Sequence, residues 1–594
     1  MNNYVVYHLH TEDSLLDSCT NYKLYVNKAV ELGQKAICFT EHGNIFRWTE
    51  KKAYVNSKGL KYLHGCEVYL TENLMPKVRD NYHTILIAKN YDGVKELNTL
   101  IGMATDKSHM YYKPRISFDE FYNISDNIIK ISACLASPLS KYPAIIQELK
   151  NKIEQNEYKD DEELSALKNK LSSSIKTYKK LLETYDYYEI QPHIKSLDQI
   201  KYNKMLYELS KRYGKPLIAA TDTHSLNNYK AQCRTIIQKA KKIEFAEEDT
   251  FDLTYKSYDE LVQMFEKQNS LPMDVVLQAI ENTNIMADSV DDFELDTSIK
   301  YPKLYDNEEA VLKQRIIDKL KYKLEHGIIN KNNLPKYIAN IAEEMRVFKK
   351  INMVGFMLFM SELVTWCWDN GIPIGFCRGS VGGSTIAYIT DIIDVDPIKW
   401  NTIFSRFANE DREEVGDIDI DISPDQRDLV YQHIIEQFGL DKTAYILAQG
   451  TVSDKGTIDE IGRALSIPLN TVAEIKEKYS AIKNEIDSLN EQKKEALERN
   501  DEKLINGIDK RLEKLNDNMS TLKTQDYPEL FYYFDGINGT VISQGMHPAG
   551  IIVSPITLPD NYGCFWNNDG KRITYINMEE IHDYTGLVKY DLLG

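Results

Sequence analysis

The 594-residue sequence has no CxxC pair, and its eight cysteines fall in no regular framework. That argues against a disulfide scaffold and predicts a reducing, cytoplasmic setting. No apolar run reaches the ~20 residues needed to span a bilayer, so no membrane association is expected. The opening Met1-Asn2-Asn3-Tyr4 shows no basic-then-apolar signal region. A surplus of positive charge is missing too: 72 basic residues stand against 90 acidic ones, a net charge of −18. This excludes a nonspecific nucleic-acid coat but not a nucleic-acid enzyme, because carboxylate-rich metal sites are themselves negative and a local basic groove can coexist with them. What remains, 42% hydrophobic and 27% charged, is ordinary globular composition, and the length predicts three or four domains.

Residues 4–225 alternate short apolar runs with amphipathic stretches; Ala36-Ile37-Cys38-Phe39, Thr84–Ala88 and Pro216–Ala220 are examples. The alternation predicts a parallel sheet or barrel with its chemistry at the strand ends. A charged helical pair near 145–184 interrupts it as a surface insertion. Residues 271–350 read as polar helices, followed by an apolar helix from Phe356 to Trp368 that Asn370-Gly371 stops. Between 472 and 524, Ile475, Ile482, Ile486 and Leu489 precede a break at Arg499-Asn500-Asp501, and Leu504, Ile508, Leu512 and Leu515 follow it. That spacing predicts an antiparallel helical hairpin, read as a solvated arm.

Residues able to bind metal gather at the predicted strand ends. His8-Leu9-His10 closes the first strand, and Asp17 follows it. His42 ends the second run, Glu67 follows Gly65-Cys66, His83 opens another strand, Cys134 lies just past Ile131, and Asp222-Thr223-His224 ends the run at Ala220. Imidazole, carboxylate and thiolate are the ligands of borderline metals. A lone histidine is more often an ordinary core or surface residue. An H-x-H and a D-x-H pair within one α/β unit point instead to a site for two or three ions, suited to metal-activated water attacking a phosphoester.

Asp417-Ile418-Asp419-Ile420-Asp421 is the other conspicuous pattern. In a strand the three carboxylates share one face, and two such charges ~7 Å apart repel by roughly 2–3 kcal/mol at an effective dielectric of ~20. A cation over that face relieves the repulsion, and Mg²⁺ prefers such oxygens; a solvated strand edge or a lone calcium site are the alternatives. Upstream, the loop Arg378-Gly379-Ser380-Val381-Gly382-Gly383-Ser384 runs into a helical stretch, Thr385–Ile393. Its glycines permit close approach to a phosphate, Ser380 and Ser384 add hydroxyls, Arg378 adds a fork, and the helix N-terminus offers N–H groups. Arg406 and Arg412 lie between loop and aspartates, completing a parts list for two-metal nucleotidyl transfer.

Two resemblances follow from these motifs. His8-Leu9-His10-Thr11 with Ser14-Leu15-Leu16-Asp17, Thr40–Asn44 and Ala220–His224 resemble the PHP (polymerase and histidinol phosphatase) family. The resemblance implies a distorted (β/α)7 barrel with up to three zinc, manganese or iron ions held by His8, His10, Asp17, His42, Glu67, His83, Cys134, Asp222 and His224. Glu41 stands where that family usually has Asp. The stretch from Gly355-Phe356 through the Arg-Gly-Ser loop, Ser405–Asn409 and the alternating aspartates, with Met546–Gly550 and Leu587–Gly594, resembles the C-family replicative DNA polymerases; Gly416 and Ile422 replace the usual proline and phenylalanine. This implies a multidomain α/β chain in which the PHP barrel, 1–270, precedes an α+β polymerase-beta-like nucleotidyltransferase palm, 271–448 and 536–594. A helical thumb, 449–535, carries the charged hairpin.

By that resemblance Asp417, Asp419 and Asp591 are catalytic carboxylates for two Mg²⁺ ions, and Asp421 supports them. Arg378, Gly379, Ser380, Gly383, Ser384, Arg406 and Lys589 bind the nucleotide; Lys455 and Arg463 lie in a segment suited to primer–template backbone contact, although surface lysines are more often inert. The expected reaction adds dNTPs to a primer 3′-hydroxyl, with 3′–5′ exonuclease activity at the PHP site. Because the sequence stops three residues after Asp591, either a second polypeptide is expected to bring fingers and a route to a sliding clamp, or the sequence is a fragment of a longer product; poor extension is expected from this stretch alone. The alternatives are a PHP nuclease with a DNA-holding polymerase half, and a noncatalytic assembly protein.

Overall fold

A computed structural model describes residues 3–243, 250–375, 378–410 and 418–593. Among the described residues, the N-terminal half contains seven strands: β1 (Ala36–Phe39), β2 (Lys61–Thr71), β3 (Tyr82–Ala88), β4 (Arg115–Ser117), β5 (Ile128–Ile131), β6 (Tyr188–Ile190) and β7 (Leu217–Ala219). β1 and β2 are parallel, β3 runs antiparallel to β2 and to β5, and β4 lies along the far end of β2. A bridge from Ile131 to Tyr187 leads from β5 to β6, which pairs with β7. The N-terminal segment closes the circuit, bridging Thr223 through Leu9 and Ile37 through Val6. The antiparallel β3 departs from the parallel arrangement expected: an apolar run encodes burial, but not strand direction.

The C-terminal half holds β8 (Ile420–Asp421), β9 (Thr443–Thr451), β10 (Val541–Val553), β11 (Cys564–Trp566), β12 (Arg572–Asn577), β13 (Lys589–Tyr590) and β14 (Leu592–Leu593). Five of them form a sheet in the order β11-β12-β9-β10-β13, and β14 pairs separately with β8. Helix Val354–Asp369 buries Phe356 through Met360 beneath it, with Phe359 edge-on to Tyr590 at 4.9 Å. Gly371, with φ at +68°, ends that helix as the sequence predicts. Among the described residues no single helix is long and apolar enough to cross a membrane.

Both expected hairpins form. Pro138–Glu154 packs on Asp161–Thr184, and Leu469–Glu498 packs on Glu502–Thr521. Leu489, Ile508 and Leu515 make the seam of the second, flanked by Ile482, Ile486 and Leu512. The two halves of the chain are fastened together: Trp48 Nε1 donates to the Tyr562 carbonyl at 2.8 Å, Thr49 Oγ1 to Glu580 at 2.7 Å, and Gln449 Nε2 to Asp13 at 2.8 Å. Gly102 sits so close to Cys564 that a Cβ would meet its carbonyl oxygen at 2.3 Å. This contact lays the C-terminal sheet along one side of the N-terminal strand ends.

Candidate metal centres

All nine residues singled out at the N-terminal strand ends come together. His8 Nε2 lies 3.0 Å from Asp222 Oδ1 and 3.6 Å from Glu67 Oε1. His10 Nε2 lies 3.4 Å from Asp222 and 3.6 Å from Glu67. Glu67 also meets His42 at 2.6 Å and His83 at 2.8 Å. Asp17 meets His42 at 3.0 Å and His224 at 3.4 Å, and Cys134 Sγ stands 3.7 Å from His83. Leu16, Ala133 and Asp222 take left-handed backbone conformations at or beside ligand positions, the kind of local strain that gathers at functional sites.

Despite these short approaches, Nε2 of His8, His10 and His224, Nδ1 of His42, both Glu67 oxygens and Asp222 Oδ1 are buried without a hydrogen bond. Buried polar atoms are rarely left so. Atoms that converge without donor–acceptor geometry are aimed at a common cation, and they form three overlapping triads: His8-His10-Asp222, His10-His42-His224 and His42-Glu67-His83. Burial, with His42 and His224 stacked at 4.1 and 4.2 Å, pushes the His10 imidazole well below its ordinary pKa, leaving a lone pair for a metal. Burial alone would raise the carboxyls of Glu67 and Asp222. The imidazoles of His83 and His42 around the first, and of His8 and His224 around the second, hold both well below the usual range. The residue types, burial and open lone pairs therefore fit a multinuclear metal centre.

The second centre is assembled from distant stretches. Parallel pairing sets Leu592 beside Ile420, and Ile420 N donates to the Asp591 carbonyl at 3.2 Å. That register brings Asp591 alongside Asp419, and Arg378 bridges Asp419 from the loop side. Burial, reinforced by the Asp419 charge, raises the Asp591 carboxyl against the opposing pull of Lys589, whose Nζ is 2.6 Å away. Asp591 Oδ1 is buried without a hydrogen bond, so a carboxyl pair with one orphaned oxygen fits a divalent cation here too. Asp421 faces outward and pairs with Arg378 at 3.0 Å. Asp417, Arg412 and Gly416 lie outside the described residues.

The loop itself departs from expectation at its far end. Gly379 and Arg378 are exposed and Ser380 is half-buried, but Ser384 is fully buried and donates to Glu344 at 2.7 Å. Glu344 also accepts from Thr385 N at 2.7 Å and Ile386 N at 2.9 Å. The helix start expected to receive a phosphate is thus occupied by a buried carboxyl, and this helix runs only from Thr385 to Ile389. Gly383 is required by packing, since a Cβ there would meet the Ile403 carbonyl at 2.5 Å. This contact seats the turn Phe404–Arg406, with Arg406 exposed, against the loop. Lys455 and Arg463 are exposed on helix Asp454–Ala464.

Residues 310–594 match the family model of the bacterial DNA polymerase III alpha NTPase domain, and residues 7–193 match that of the PHP domain. By these two matches the chain resembles the N-terminal portion of the bacterial C-family polymerase alpha subunits. Among its relatives, the DNA polymerase III subunit alpha of Aquifex aeolicus is 28% identical over 100% of this chain and 51% of its own length. That of Borreliella burgdorferi is 29% identical over 99% of this chain and 48% of its own. The chain therefore spans about half the length of the curated relatives it matches. A solved Bifidobacterium adolescentis structure titled for a metal-dependent phosphoesterase overlaps 38% of this chain and 88% of its own at 13% identity; its TM-score of 0.23 is too low to carry an argument.

Several residues around the two centres carry no motif signal. Glu189, on β6, accepts from His8 Nδ1 at 2.9 Å, from Tyr7 at 2.9 Å and from Gln191 at 2.7 Å. Such a carboxylate fixes the tautomer of a ligating histidine. Arg234 forks onto Asp17, and Gln238 reaches the same oxygen at 3.3 Å. Glu41, the departure from the PHP pattern, is buried and gathers Thr11, Ser14 and Lys51, holding the His10–Asp17 turn in shape. Glu41 alone lies within a recognisable motif; the others sit in unmarked stretches and are recognised by contact alone.

Proposed function

We propose that this chain is the catalytic core of a replicative DNA polymerase joined to a PHP phosphodiesterase. The observation that carries the reading is the pairing of β8 with β14, which sets Asp591 beside Asp419 and the exposed Arg378-Gly379-Ser380 loop. In this reading the N-terminal hydrogen-bonded circuit is the distorted (β/α)7 barrel of 1–270. The C-terminal sheet is the palm, 271–448 and 536–594, and the helices of 449–535 are the thumb.

Asp419 and Asp591, with Asp417, would hold Mg²⁺, and the nine N-terminal ligands would hold zinc, manganese or iron. Bound there, divalent ions supply the charge that favours a nucleophilic hydroxyl or water and offsets charge building on a phosphate. The chain's own residues do the rest. Arg378 and Ser380 grip triphosphate oxygens, Gly379 lets the backbone approach them, and Arg406 and Lys589 add charge that draws the anion in. Ser384 serves the site indirectly, by fixing the loop to Glu344. At the PHP centre, Glu189 keeps the Nδ1 proton of His8 in place so that Nε2 faces the ligand cluster.

The substrates proposed are primer–template DNA and dNTPs in the cytoplasm. Segments equivalent to the other half of the relatives' length would provide the base-pair-closing fingers and reach a sliding clamp, as a second polypeptide or in one chain. Crossed substitutions test the assignment in the completed enzyme. Asp419→Ala abolishes primer extension and leaves 3′-end hydrolysis intact, while His10→Ala does the reverse. Loss of both activities in either variant refutes the division of labour.

A further inference from the structure

The cleft above the histidine cluster, about 740 Å³, is lined on one side by Asp17, His42, His83, Cys134, Asp222 and His224. Its facing wall comes from the other half of the chain: Gln544, Phe565, Trp566, Asn568 and Tyr575. The volume falls within the range of small-ligand sites and exceeds what metal ions and a phosphate occupy. Trp566 and Phe565 are only half-buried in it. Trp566 is held at ring and backbone: Arg572 lies over the indole at 4.8 Å and is itself tied to the Leu440 carbonyl at 2.7 Å, while the Trp566 backbone N–H donates to Thr105 Oγ1 at 2.9 Å. Phe565 is braced by Phe46 at 5.4 Å and Tyr575 at 5.1 Å.

We propose that Trp566 is a stacking platform for the terminal base of a single-stranded 3′ end whose last phosphodiester lies against the histidine cluster. The proposal rests on the phosphodiesterase reading and adds the substrate determinant: an unpaired terminal nucleotide of any sequence, since every base has a π face and stacking does not discriminate among them. A paired terminus cannot present that face. The platform belongs to the polymerase half, so hydrolysis at the PHP centre depends on the contact between the halves.

The test is a single-stranded oligonucleotide with 3′-terminal 2-aminopurine behind a hydrolysis-resistant phosphorothioate linkage, titrated with metal-loaded protein. Stacking quenches the probe in the wild type. Trp566→Ala abolishes the quenching and weakens binding roughly 5- to 150-fold, the stacking loss expected for one base. Trp566→Phe retains most of both, and an abasic 3′ end binds wild type as weakly as the intact end binds Trp566→Ala. Quenching that survives Trp566→Ala, or equal binding of abasic and intact ends by wild type, overturns the proposal. Hydrolysis of the ordinary phosphodiester oligonucleotide is scored separately. Hydrolysis without quenching removes the platform alone, and quenching without hydrolysis removes the phosphodiesterase reading alone.

Discussion

The histidine cluster is largely buried, with His8, His10 and Asp17 each backed by a further partner, whereas Asp419 and Asp591 stand at the ends of two-residue strands beside an exposed loop. In the first centre Glu189 backs His8, Ser14 backs His10, and Arg234 with Gln238 backs Asp17. In the second, the neighbours of the carboxylates are mobile-headed cations: Lys589 on Asp591 and Arg378 on Asp421. The cluster is therefore pre-organised for its ions by the fold. The carboxylate centre has its charge balanced by side chains that would have to yield to the proposed triphosphate and its metal. Removing a supporting residue should consequently cost stability and metal affinity at the first centre, and chiefly ligand affinity at the second.

The largest effect is expected at Arg234. Its pair with Asp17 is nearly buried, at 11% exposure on both sides, and breaking such a pair by removing one partner costs about 3–5 kcal/mol. Arg234→Ala should show that loss in urea unfolding of the metal-free protein. A loss of the same size on replacing Arg378 would break the contrast between the centres.

Next comes Glu344, the buried anchor of the phosphate loop. Burial raises its carboxyl from 4.5 to about 7, against the hydrogen bonds from Ile386, Ser384 and Thr385. A folded pKa above the unfolded one means that its stabilisation is complete below about pH 4.5 and fades as pH rises toward 7, by about 3 kcal/mol in total. Glu344→Gln should remove that slope, so the stability difference between variant and wild type changes across this window. A difference that stays constant with pH refutes the assignment.

How much of this was legible depends on whether the determining contacts are local. The nine cluster residues sit at the ends of apolar runs, so spacing and residue type mark them together. The hairpin of 469–521 was legible because Ile482, Leu489, Ile508 and Leu515 repeat at seam spacing. Asp419 was legible from alternation, but its juxtaposition with Asp591 depends on pairing across 172 positions that no local pattern encodes. The sequence misleads at Ser384 for the same reason: its hydroxyl is claimed by Glu344, forty residues earlier. Strand direction, and with it antiparallel β3, is likewise set by the connections rather than by the run itself.

Glu189 gives a smaller effect of a different kind. It is fully buried and hydrogen-bonded to the nitrogen of His8 that faces away from the cluster. Glu189→Gln should weaken metal binding by about 10- to 100-fold, read by competition with a chelator of known affinity while unfolding stays cooperative. An unchanged affinity would mean that His8 is oriented by packing alone, and the first centre would lose the feature that separates it from the second.

The smallest change is expected at Asp421, and its smallness is informative. Both members of the Arg378–Asp421 pair are about half exposed, 57% and 49%, where an ion pair is worth at most about 1 kcal/mol and is screened by salt. Asp421→Asn should shift the unfolding free energy by less than that. Its visible consequence should be at the nucleotide: Arg378, relieved of its carboxylate, is freer to turn toward phosphate oxygens, so binding of a non-hydrolysable dNTP analogue tightens modestly, and more at low salt than at high. Weaker binding in this variant would mean that Asp421 itself contributes to the cation site. The alternating aspartates would then act as three ligands, and the open centre would be as fully built as the closed one.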